Sequence, residues 1–76
     1  MSPEQCRAAR GWLDMSQRTL AKLSELSEST VRDFEKGRRM PTPESLQALQ
    51  SFLEKRGIIL RFRNSEPIGI EFQQIN

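Results

Sequence analysis

The chain has 76 residues, a formal charge of +2, one cysteine and no histidine. A chain this short makes one small domain that buries only about 60% of its unfolded surface, so a deep catalytic cleft is hard to build and oligomerisation would add stability. A single cysteine excludes an internal disulfide and a cysteine-rich zinc site, and without histidine the commonest general base and metal ligand is missing.

Composition therefore argues against an enzyme, a bound metal or a cofactor. No apolar run approaches the ~18 residues of a membrane span and no secretory leader is visible, so a soluble, cytoplasmic protein is expected. The basic excess lies in the first half. Residues 1–41 hold eight Lys/Arg against six Asp/Glu, and residues 42–76 hold four against four. Lys36, Arg38 and Arg39 cluster there, a modest footprint for a polyanionic partner.

The opening "MSPEQCRAARGWLDM" reads as a helix. Ser2 can cap it, Pro3 suits the first helical position, and Gln5 completes a capping box. Cys6, Ala9 and Leu13 form its buried stripe, Arg7 and Arg10 border that stripe, and Trp12 is expected to be partly in the core. Cys6 reads as a small apolar core residue. A second helix starts at the cap Ser16 and turns Leu20 and Ala21 inward. After a tight turn holding Leu26, Ser27 caps a third helix over residues 28–36 that buries Val31 and Phe34 and ends at Gly37. A fourth helix has Thr42 as cap, Pro43 as first residue and Leu46, Leu49 and Leu53 as stripe, with Phe52 beside it, and closes at Gly57.

Beyond Gly57 the apolar period changes to two. Ile58, Leu60 and Phe62 share one face of a strand, and Ile68, Ile70 and Phe72 one face of the next. "NSEP" is the expected turn between them, with Pro67 suited only to an edge or a strand start. The whole reads as a mainly α fold of four helices with a C-terminal β-hairpin.

Residues 16–35 are two short helices joined by a tight turn, the form of a helix-turn-helix, in which the second helix enters the DNA major groove and the first braces it. Ala21 is small where the helices cross, and Leu20, Leu26, Val31 and Phe34 hold the crossing. Ser16-Gln17 with Leu20-Ala21, Leu26-Ser27, Ser29-Thr30-Val31, and Phe34-Glu35 with Gly37 together resemble the Xre/Cro-type, lambda repressor-like helix-turn-helix family. The resemblance runs from about Arg7 to Leu53, with Pro41 and the Leu46/Leu49 stripe extending it.

The resemblance implies a fold, a partner and roles. Residues 1–57 would form the DNA-binding domain, and the hairpin, residues 58–76, would pack on it and serve in dimerisation. Gln17 would reach a base or phosphate at the groove edge, and Glu28, Ser29, Arg32 and Asp33 would occupy the base-reading face. Ser16, Ser27, Thr30, Lys36, Arg38 and Arg39 would hold phosphates, which supply most of the affinity while bases supply the choice. Arg10 in the first helix would pair with Glu35 at the end of the third, making that acid structural rather than a charge facing DNA.

Two acids, Glu28 and Asp33, then remain on the reading face. A carboxylate can accept from cytosine N4, and Arg32 beside them can bond guanine O6 and N7. Glu28 equally suits a charge at a helix N-terminus, and Asp33 a solvated residue. Glu25 stands where the family often has glycine, and a positive φ there would cost of order 1 kcal/mol.

An exposed hairpin edge invites a second copy, with Ile59 as a contact. The function implied is a small transcriptional repressor, a homodimer on an inverted-repeat operator in double-stranded DNA, associated with the nucleoid when bound. The alternative is a protein-interaction module, antiactivator or antitoxin-like, that keeps the fold without strong DNA binding. The acids on the third helix favour it.

Overall fold

The computed structural model describes residues 1–74, and these form four helices and a two-stranded antiparallel sheet. The helices are α1 (Pro3–Trp12), α2 (Gln17–Leu23), α3 (Glu28–Glu35) and α4 (Pro43–Lys55), followed by β1 (Ile58–Arg63) and β2 (Glu66–Phe72). The last two residues of the expected hairpin segment, 75–76, lie outside the described residues.

Each helix begins where a side chain satisfies its free N–H groups. Ser2 and Gln5 form a reciprocal capping box on α1, and Ser16, Ser27 and Thr42 cap α2, α3 and α4. The helix ends share a second device. After α1, α2 and α3 the chain enters the left-handed region at Asp14 (φ 54°), Glu25 (φ 61°) and Gly37 (φ 72°). In each case paired backbone bonds close the last turn: Met15 N–H donates to Arg10 O, Leu26 to Ala21 O and Arg38 to Asp33 O. These are three Schellman closures, and only the third carries the glycine that marks it in a sequence. At the other two an apolar residue follows, Met15 or Leu26. Met15 is buried and Leu26 packs against the core, which holds the strained residue in place.

The core joins Cys6 and Ala9 of α1, Leu20 and Ala21 of α2, Val31 and Phe34 of α3, Leu49 and Leu53 of α4, and Ile58 of β1. Leu13, Leu46, Phe52, Leu60 and Ile70 pack around it. Trp12 does not belong to it. Its side chain is 61% exposed and stacks on Phe72 with ring centroids 5.4 Å apart. The reason is the chain reversal at Asp14, which gives the core position to Met15 and leaves Trp12 on the hairpin side.

The hairpin turn is shorter than "NSEP". Asn64 (φ 51°) and Ser65 (φ 68°) alone make it, with both residues at positive φ as a two-residue turn of the twisted kind requires. Glu66 and Pro67 are already in β2. Ile58 pairs with Phe72, Leu60 with Ile70 and Arg61 with Gly69, but Phe62 pairs with Pro67, so Ile68 is an extra residue at a β-bulge. The apolar face is covered only near its base: Phe62 and Ile68 are 47% and 55% exposed. Gln5 ties the sheet to α1, its buried amide donating to Arg61 O at 2.9 Å and Gly69 O at 3.0 Å.

Candidate nucleic-acid interface

α2 and α3 are the bracing and reading helices of the motif, and the turn between them is fixed by the closure at Glu25. What sets α3 in place is a buried carboxylate. Glu35, its last residue, is 2% exposed. Arg10 of α1 grips it as a fork, Nε donating to Oε2 at 2.9 Å and Nη2 to Oε1 at 2.8 Å. Gln17 Nε2 donates to Oε1 at 3.0 Å and Cys6 Sγ to Oε2 at 3.3 Å. The remaining Arg10 nitrogen, Nη1, donates to Met15 O at 3.1 Å. Arg7 Nη1 donates to the backbone carbonyl of Glu35, holding the C-terminal end of α3 where the helix dipole favours a cation.

Burial alone would raise the Glu35 carboxyl, but the hydrogen bonds from Arg10, Gln17 and Cys6, with the guanidinium charge, hold it below the ordinary carboxylate range. The bond to Glu35 raises Arg10 further against the opposing effect of its own burial. Burial pushes the Cys6 thiol far up, and the neighbouring carboxylate adds to that, so it stays a protonated donor. One acid of α3 is thereby turned inward and neutralised, and α1, α2 and α3 meet at it.

The other named residues lie outside this knot. Glu28, Ser29 and Arg32 are exposed on α3, and Asp33 is half-buried with its carboxylate 3.8 Å from Arg32 Nε. Ser29, Thr30 and Asp33 line a cleft of about 210 Å³ together with Arg39, Thr42 and Ser45, so the loop after α3 and the start of α4 adjoin the outer face of α3. Lys36, Arg38 and Arg39 are all exposed. Ser16 and Ser27 have their hydroxyls engaged in capping, and Ser27 Oγ also lies 2.7 Å from Thr30 Oγ1. Gln17 is half-buried, with one amide N–H held by Glu35, so it is more constrained than a free groove-edge side chain. Ile59 lies away from these residues in chain and element, half-buried on β1.

Two residues of this architecture carry no motif of their own, Arg7 and Gln5. The signal for Arg7 is its position three residues before Arg10, on the border of the same buried stripe. Gln5 looks complete as a capping residue, and nothing local announces its second partner, more than fifty residues away.

A helix-turn-helix family model matches residues 7–57, more than half of the chain, which therefore belongs to that family, of the Xre/Cro-like type. It is a DNA-binding helix-turn-helix regulator, in a family of regulators rather than enzymes. No curated protein matches it. Among the described residues no helix is long and apolar enough to cross a membrane.

Proposed function

We propose that this regulator is a small repressor that binds an inverted-repeat operator as a homodimer, one α3 in the major groove of each half-site. The observation that carries this reading is the inward turn of Glu35. With that acid satisfied by Arg10, Gln17 and Cys6, the exposed surface beyond Phe34 is Lys36, Arg38 and Arg39, a cationic edge beside α3.

Arg32 is the guanine reader, donating to O6 and N7, and Glu28 and Asp33 accept from cytosine N4. Ser29 and Gln17 complete the base-facing set, Gln17 through its free amide hydrogen and carbonyl oxygen. Lys36, Arg38 and Arg39 neutralise phosphates, and Ser16, Ser27 and Thr30 hold phosphates at the helix starts. The carboxylates work against the phosphate field, so they reduce affinity while narrowing the choice of sequence. The hairpin, with Ile59 on its outer face, joins the two copies.

Fluorescence anisotropy with two labelled duplexes, at several salt concentrations, tests the reading. One duplex is the region upstream of the protein's own coding sequence, the other scrambled DNA of equal length. Preference for the first, with affinity falling steeply as salt rises, is expected. Absence of binding to either at low salt overturns it. The exposed acids of α3 would then mark a face for a protein partner.

A further inference from the structure

The geometry points to the outer edge of β1, and not that of β2, as the surface that pairs with a second copy, with the two-fold axis at Leu60. This rests on the homodimer reading above. The two edges differ in which backbone groups they present. Gln73 N–H donates to Gly57 O at 2.8 Å while the Gly57 N–H turns back to Glu54 O, so the Gly57 carbonyl faces the partner strand and sets the phase of the ladder. Bonded and non-bonded pairs alternate along an antiparallel ladder. Ile58/Phe72 and Leu60/Ile70 are then the non-bonded pairs, whose N–H and C=O groups point away from the partner strand. Counting inward from the two-residue turn, Arg63/Glu66 is bonded and Phe62/Pro67 is not.

On the outer edge of β1, Ile58 is closed off within the single chain, so the groups on offer are those of Leu60 and Phe62. None of the backbone bonds made outside helices and ladder by the described residues uses Leu60 or Phe62. The outer edge of β2 is blunted. Pro67 has no N–H to offer there, and the bulge at Ile68 breaks the repeat. Both features prevent strand addition.

Charge disfavours two registers on β1. An axis at Arg61 sets Arg61 against its symmetry mate, and an axis at Phe62 sets it against Arg63; like charges directly opposite are unfavourable. An axis at Leu60 avoids both. It places Leu60 opposite Leu60, Ile59 opposite Arg61, and Phe62 beside the buried Ile58 of the other copy. The Arg61 guanidinium already leans across β2 toward Glu71, 3.7 Å from its carboxylate, which draws its charge off the β1 edge. Phe62, half-exposed in the single chain, gains cover, and the apolar faces of two hairpins become one four-stranded sheet.

Amide hydrogen exchange read by NMR, with sedimentation on the same samples, tests this. In the dimer the Leu60 and Phe62 amides are expected to exchange at least about tenfold more slowly than those of Ile70 and Phe72, and to lose that protection on dilution to monomer. Phe62→Pro removes one outward N–H without touching the internal ladder, so it is expected to give folded monomers. A dimer with Ile70 and Phe72 protected instead, or with neither edge protected, overturns the β1 assignment and leaves the homodimer standing. Monomers at every concentration overturn both.

Discussion

Glu35 is a charge placed in the interior of a protein with little stability to spare, and its surroundings explain why it is tolerated. Both carboxylate oxygens accept two donors, and the fork from Arg10 supplies the countercharge. Removing one side of such a knot is worse than never having built it. Glu35→Ala leaves Arg10 without its partner and two donors without an acceptor, at an expected cost of about 3–5 kcal/mol in urea or thermal unfolding. A variant that melts like the wild type would show that the knot is not structural. Acidity gives an independent reading. The carboxyl sits below its ordinary value of about 4.3 in the folded protein, so its stabilisation is complete above that pH and drains away as pH falls through the folded value. The stability gap between wild type and Glu35→Gln is therefore expected to be flat near neutrality and to narrow below about pH 4.3. A gap that widens on acidification would contradict the assignment. At this same scale the guanine-reading role proposed for Arg32 separates reading from holding. Arg32→Ala is expected to cost about 1–3 kcal/mol on the preferred duplex and to relax the choice at one base position in a competition assay.

The elements around α3 divide the work differently. Arg38 and Arg39 lie in the loop that follows the closure at Gly37, with Arg39 on the cleft shared with α4. A loop cation near the groove meets the phosphate backbone whatever the sequence. Arg38→Ala and Arg39→Ala are each expected to weaken binding to all duplexes alike and to lower the salt slope by about one, unlike Arg32→Ala. Equal slopes for all three variants would mean that the loop and the helix face do not play separate parts. Elements also mark the limit of what the sequence discloses. The helices were legible because Ser2, Ser16, Ser27 and Thr42 cap them by local chemistry and because their apolar stripes repeat at helical spacing. Pairing of Arg10 with Glu35 followed from resemblance alone; spacing could not have joined residues twenty-five positions apart. The closure at Asp14 was not legible, and at Glu25 only the resemblance raised a positive φ, since the stability of both comes from Met15 and Leu26 packing elsewhere in the core. The same is true of Trp12, whose partner Phe72 is sixty residues further on, and of the bulge at Ile68, which period-two alternation cannot register.

For the whole molecule, a single α3 spans only a few base pairs, too few to select one site, so under the proposed reading choice depends on joining two copies. Two reading helices related by a two-fold axis address half-sites about 34 Å apart, one turn of the duplex. The join proposed here runs through β1, and its weak point is the face carrying Ile59. In the register with the axis at Leu60 that residue lies opposite Arg61 of the other copy, so Ile59→Lys sets two cations against each other across the axis. Because Ile59 is outside the core cluster, the monomer fold is expected to survive the change. Sedimentation should then report monomers, and anisotropy on the upstream duplex should fall to the affinity shown by a single half-site. Wild-type binding should also fail when about five base pairs are inserted between half-sites, since half a helical turn rotates one of them away. An unchanged sedimentation mass for Ile59→Lys would remove the hairpin from the join, and indifference to the insertion would remove the join from the reading of DNA.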